Sequence, residues 1–200
     1  EFVHGGHRIW GATAAILLDM YVVAGEEQGF LGSTHVAKRA KAEKWNIDAM
    51  LNNDIVGNTH GMETDLKDNR SVRVFSEGVP TVATGNGRQI AGLISLGGEN
   101  DSPSRELARY TKETAERYVD QLDVKLIYRR DRYLRGGDHI PFLQEGYAAV
   151  RLTEMNEDFT RQHQTIRTEN GVNYGDLPDY VDFNYVQKVA RMNLSVLANL

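Results

Sequence analysis

The run Tyr21-Val-Val-Ala-Gly-Glu-Glu-Gln-Gly-Phe-Leu-Gly-Ser33 constrains this chain more than any other stretch. It opens as a hydrophobic strand, stops on two adjacent carboxylates, Glu26 and Glu27, and leads into a helix. From 29 to about 44, apolar Phe30, Leu31, Val36, Ala37 and Ala40 recur near the helical period, with Lys and Arg in the last turns. A second apolar stretch then ends at Asp54, in Ala49-Met-Leu-Asn-Asn-Asp-Ile-Val-Gly57. Strand, helix and strand make a βαβ unit, whose crossover is right-handed and whose strands are parallel. Both strand ends then fall on one edge of the sheet, where open α/β sheets bind ligands. An adjacent Glu pair alone reads equally well as a solvated helix start, favoured by the positive end of the macrodipole. Asp54 at the next strand end argues instead for a site at which Glu27 and Asp54 share a metal.

The alternation continues along the chain. Residues 70–76 alternate like a strand, 104–121 form an amphipathic helix opened by Ser-Pro-Ser, and 123–128 form another strand. Helices over 140–145 and 180–200 are expected to cover the sheet. No internal repeat or low-complexity linker divides the 200 residues, and 40% hydrophobic content suffices for one domain with a sizeable core. The net charge of −5 argues against nucleic acid as a partner. No run of about 20 apolar residues is long enough to span a membrane. Cysteine is absent, which rules out disulfides and thiolate ligands and leaves carboxylates and imidazoles for any metal. The abrupt start at Glu1, with no signal peptide, carries the expectation that an upstream portion is cleaved or omitted.

Other polar clusters read more plainly. Residues 58–69 contain His60, Glu63, Asp65 and Asp68, and are expected to be a solvated loop beside the cleft rather than a second metal site. Thr84-Gly-Asn-Gly87 resembles a phosphate loop only loosely, lacking its Lys and its strand-to-helix setting. Asp138, before His139-Ile-Pro-Phe142, is either a helix N-cap or a group at the cleft. His35 and His139 read as structural or surface groups.

Gly25-Glu-Glu-Gln-Gly-Phe-Leu-Gly-Ser33 and Asn53-Asp-Ile-Val-Gly57 resemble the co-catalytic zinc aminopeptidase family. Asp131-Arg-Tyr-Leu-Arg-Gly-Gly-Asp-His-Ile-Pro-Phe142, Gly146-Tyr-Ala-Ala-Val-Arg-Leu-Thr-Glu154 and Gln162-His-Gln164 are similar to that family's closing half. The family includes bacterial leucyl aminopeptidase-like exopeptidases and is related to glutamate carboxypeptidases and glutaminyl cyclases. The resemblance runs from about residue 11 to the end. It implies an α/β fold, a three-layer αβα sandwich with a mixed, mostly parallel central sheet. It also implies an aminopeptidase that hydrolyses the N-terminal peptide bond, with Glu26 as the general base that activates water. Glu27, Asp54 and His163 would be zinc ligands, His7 the first histidine ligand, and Asp138 would bind substrate or orient a ligand. Two zinc ions are expected, and zinc's preference for Asp or Glu oxygen and His nitrogen agrees with the set.

The chain departs from that pattern at one point. The family's bridging aspartate follows a Gly-Ala turn, but here the turn reads Gly11-Ala-Thr-Ala-Ala15, and Asp19 would lie on a helix. The stretch from His7 to Glu26 is also too short for the usual loop, helix and connection. The expectation is a single catalytic domain over 1–200 that lacks segments near 8–20. A single zinc, as in glutaminyl cyclases, and a non-catalytic binding domain both stay open as alternatives. The resemblance further implies a peptide substrate with a free N-terminus and an extracellular or periplasmic location. No motif marks residue specificity or oligomeric state.

Overall fold

In a computed structural model of the chain, the structure describes residues 2–4, 7–9, 23–62, 64–79, 87–132 and 135–200, the first two of these as backbone. Strands β1 (Phe2–His4) and β2 (His7–Ile9) pair antiparallel as a small ribbon. Helix α1 (Leu31–Ala42) precedes β3 (Met50–Asn53) and β4 (Ser71–Ser76). Helices α2 (Gly87–Ser95) and α3 (Pro103–Tyr118) lead to β5 (Asp123–Ile127), helix α4 (His139–Gln144) and β6 (Ala149–Glu154). A hairpin of β7 (Arg167–Glu169) and β8 (Val172–Tyr174) comes before the final helix α5 (Phe183–Asn199).

Among the described residues, four strands form the central sheet in the order β3-β6-β4-β5. β3 runs parallel to β6 and β4 parallel to β5, while β4 and β6 are antiparallel. Because side chains alternate across a strand, β3 and β6 feed two layers. Leu51, Val72, Val74, Val124, Val150 and Leu152 pack with α3 and α5, through Leu107, Ala108, Ala115, Tyr185, Val189, Met192 and Val196. Met50 and Ala149 face the other way, onto Ala37 of α1 and Ile140, Phe142 and Leu143 of α4. This is the three-layer α/β/α sandwich with a mixed sheet. β6 is buried at every residue, including Arg151, Thr153 and Glu154, so it is the central strand of the core.

Local chemistry explains where the helices start. Ser102 accepts the Arg105 amide and Pro103 occupies the first helical position, where its missing N–H costs nothing. Asp182 accepts the amides of Asn184 and Tyr185 at the head of α5. One expectation is corrected here. Residues 23–25 are not a strand: the Gly32 amide donates to the Ala24 carbonyl (2.8 Å) and the Leu31 amide to the Gly25 carbonyl (3.0 Å). Their carbonyls are consumed at the helix entrance instead of in a sheet, and Tyr21 and Val22 lie outside the described residues. Of the two readings of Asp138, the side-chain cap is not formed: Asp138 precedes α4, but its side chain makes no capping hydrogen bond and its backbone is already helical (φ −62°, ψ −12°). Smaller shifts follow from fraying: α1 starts at Leu31 rather than 29, α3 stops at Tyr118 and α5 starts at Phe183.

Candidate metal centre

β3 delivers Asp54 to the sheet's edge. The Asp54 amide donates to the Leu152 carbonyl (3.0 Å), one residue beyond the strand, and the chain then turns through Ile55 at φ 63°. Because β3 and β6 are parallel, the ends of both strands open on the same side. The Glu26 carbonyl accepts the amides of Gly29 (3.0 Å) and Phe30 (2.9 Å), making a tight turn from which the two Glu side chains project. Segment 135–138 lies against this turn. A Cβ on Gly136 would come within 2.6 Å of the Phe30 ring, so glycine is required for the close approach.

These elements bring together groups far apart in sequence. His163 Nδ1 lies 3.5 Å from Glu27 Oε1, at the rim of the site where both side chains are exposed. Glu26 sits next to them and its carboxyl is pushed up to about 7, by burial first and then by the negative charges of Asp54, Glu27 and Asp138. Burial also raises the Asp54 carboxyl, against the pull of the Arg151 guanidinium. Asp138 Oδ1 is buried and takes no hydrogen bond among the described residues. The site is thus a set of four carboxylates and one imidazole. Glu26, Glu27, Asp54, Asp138 and His163 are assembled at one edge, and the repulsion that lifts Glu26 is the kind a cation relieves.

That donor set fits a divalent metal by its chemistry, with Glu27 and His163 already paired. Among the described residues no group of three or more His, Asp or Glu converges on one ion position. His7 lies in β2, but its side chain falls outside the described residues, as do Gly11-Ala-Thr-Ala-Ala15 and Asp19. Glu63 and Thr84-Gly-Asn, up to residue 86, fall outside them as well. In the loop 58–69, Asp68 is occupied locally, accepting the amides of Arg70 and Ser71 (both 2.8 Å).

Two residues outside the expected ligand set organise the site. Arg151, fully buried, reaches Asp54 Oδ2 with Nη2 (3.0 Å) and donates from Nη1 to Asp131 (2.8 and 3.0 Å) and to the Gly136 carbonyl (2.6 Å). His139, also buried, lies 2.9 Å from the Arg130 carbonyl through Nε2 and 3.5 Å from Asn52 Nδ2 through Nδ1, and burial lowers its pKa. The signal for Arg151 is in the sequence: a lone Arg inside the apolar run Ala149-Val-Arg-Leu, where a charge is tolerated only with partners. Beside the site a cleft of about 410 Å³ runs between Ile55, Gly57, Glu154, Gln162, Leu177 and Phe183.

The fold and site together define an α/β protein with a carboxylate and imidazole centre at the carboxyl edge of parallel strands. The chain belongs to peptidase family M28, whose model matches residues 12–196. Over 178 residues it is 49% identical to a protein of Pyrenophora teres f. teres named "Probable zinc metalloprotease", covering 89% of this chain and 37% of that one. A like-named protein of Leptosphaeria maculans is 48% identical over 178 residues, covering 89% of this chain and 41% of that protein. The chain thus spans well under half the length of these curated relatives. Among solved structures, LapB from Legionella pneumophila is similar in fold, with a TM-score of 0.53 and 15% identity over 88% of this chain and 37% of its own. The LapA aminopeptidase of the same organism matches with a TM-score of 0.53 and 14% identity, over 93% of this chain and 42% of its own.

Proposed function

We propose that this chain is the catalytic part of a zinc aminopeptidase, removing the N-terminal residue from a peptide substrate. The observation that carries the reading is the carboxylate cluster itself, with Asp138 presenting a buried, unpartnered oxygen among Glu26, Glu27 and Asp54. A buried acceptor surrounded by negative charge is a receptor for an ammonium group, and a free N-terminus supplies one. Glu27, Asp54 and His163 would hold zinc, with His7 as a further candidate ligand. When bound, zinc supplies Lewis acidity, lowering the pKa of a water and polarising the scissile carbonyl.

The remaining steps belong to this chain's own groups. Glu26 takes the proton from the attacking water and returns it to the leaving amine. Its position among carboxylates suits this exchange, because a carboxyl lifted toward neutrality can both accept and release a proton near pH 7. Asp138 holds the substrate's α-ammonium and so sets which peptide bond reaches Glu26. The cleft next to the site receives the substrate chain. The same reading proposes an exported enzyme with one or two zinc ions and no nucleic-acid partner.

The test compares an aminoacyl chromogenic amide with its N-acetylated counterpart. The free-amine substrate is expected to be cleaved at least 100-fold better, and Asp138→Asn to lose most of that margin through KM. Equal turnover of both substrates would remove the aminopeptidase assignment. Cyclisation of an N-terminal glutaminyl peptide would replace it with a cyclase.

A further inference from the structure

Asp54 is held by a group outside the proposed ligand set. Arg151 Nη2 lies 3.0 Å from its Oδ2, with the Arg side chain fully buried and that of Asp54 about one quarter exposed. Gly137 lies so close that a side chain there has no room: a Cβ would come within 2.8 Å of Asp54 Oδ2, 2.9 Å of Asn52 Nδ2 and 3.2 Å of His139 Nδ1. With Oδ2 ion-paired to Arg151 and no room for a side chain at Gly137, Oδ1 is the Asp54 oxygen left to present.

A cation beside a metal ligand would ordinarily oppose metal binding, so the partners of Arg151 matter. Its Nη1 donates to both oxygens of Asp131 and to the Gly136 carbonyl, and His139 Nε2 stands 3.4 Å from Asp131 Oδ2. Asp131 is itself buried and accepts the Arg132 amide through Oδ1 (2.6 Å). Arg151 thus divides its charge between Asp131 and Asp54 instead of pairing with Asp54 alone. Buried charges persist only when paired in this way, which explains an Arg on the central strand.

We propose that Arg151, backed by Asp131, is a positioning residue that locks Asp54 in one rotamer so that a single oxygen faces the metal. The inference rests on the reading of Asp54 as a ligand. A loosened Asp54 samples other rotamers and must be reordered when metal binds, so affinity falls although the ligand remains. Outer partners of metal ligands are typically worth about 10- to 100-fold in affinity.

Zinc dissociation constants measured by chelator competition test this, together with the visible spectrum of the cobalt-substituted protein. Arg151→Lys keeps the charge but loses the planar fork, and Gly137→Ala keeps every charge but pushes on Asp54 Oδ2. Both are expected to weaken zinc about 10-fold or more and to alter the cobalt spectrum. Val124→Ala, a core change on β5, which pairs with neither β3 nor β6, is the control for destabilisation and should leave both readouts unchanged. If Asp54→Asn weakens zinc while Arg151→Lys and Gly137→Ala leave affinity and spectrum as in the wild type, the positioning role is overturned and the ligand survives. Tighter zinc binding in Arg151→Lys would overturn it too, because the guanidinium would then be a competitor of the metal. An Asp54→Asn protein with unchanged affinity would sink the ligand assignment itself.

Discussion

Glu154 illustrates how much one buried atom can govern. Its Oε2 accepts the amides of Gly57 (2.9 Å) and Asn58 (2.7 Å), while Oε1 is buried with no hydrogen-bond partner among the described residues. Burial pushes the carboxyl up to about 7, against the pull of those two amides. The folded-state value lies above the ordinary 4.5, so the neutral form is the one the fold prefers. Its contribution is complete below about pH 4.5 and is lost as pH rises through 7, a change on the order of 2–3 kcal/mol. Glu154→Gln keeps an acceptor for both amides and cannot ionise. Urea denaturation at pH 5 and pH 8 should show the wild type losing stability across that interval and the variant losing much less. Equal slopes would mean that Glu154 is already ionised in the fold. At Glu26 the corresponding change, Glu26→Gln, should abolish turnover and leave zinc content intact; zinc loss would mean that the roles of Glu26 and Glu27 are exchanged. Glu26, Glu27, Asp54 and His163 were legible as candidates from motifs alone. Arg151 and Asp131 were not assigned, because their roles exist only as contacts between β6 and the loop before α4.

Among the elements, those with a buried periodic face were readable and those without one were not. β4, β5, α3 and α5 all put apolar residues into one cluster, and their sequence patterns already carried that periodicity. α2 has no buried residue, and the β7–β8 hairpin is exposed along most of its length, so neither leaves a core-facing pattern to detect. The hairpin did carry one usable signal, Asn170-Gly171, whose positive φ angles of 51° and 79° suit a primed turn. The caps make this scale testable. Asp182→Ala removes the acceptor for two amides at the head of α5 and is expected to cost about 1 kcal/mol. Leu152→Ala, at a fully buried position on the central strand, should cost about 2–5 kcal/mol. Denaturant midpoints of the two variants should fall in that order, and a reversal would mean that β6 is not the packing centre.

For the whole molecule, the acidic edge couples metal binding to folding. Glu26, Glu27, Asp54 and Asp138 meet only when the α1 entrance, the end of β3 and the head of α4 are in place, so an unfolded chain offers no comparable site. A ligand that binds only the folded form stabilises it by mass action, about 2.7 kcal/mol at a hundred times its dissociation constant. Added zinc should therefore raise the melting temperature and a chelator should lower it, most strongly at neutral pH and above, where the carboxylates are charged. A melting temperature indifferent to both would argue for the non-catalytic reading.

The sequence by itself determined the α/β layering and the family, and it named the acidic and imidazole candidates that the fold brings to one edge. Those properties are written in period, in strand-end position and in short motifs, all of which are local. Tertiary structure alone decided that residues 23–25 feed a helix rather than a sheet, that an Asp138 oxygen has no hydrogen bond among the described residues, and that Arg151 is ion-paired with Asp54. Each of these depends on where a carbonyl, carboxylate or guanidinium finds its partner across the fold, and no sequence period encodes that distance.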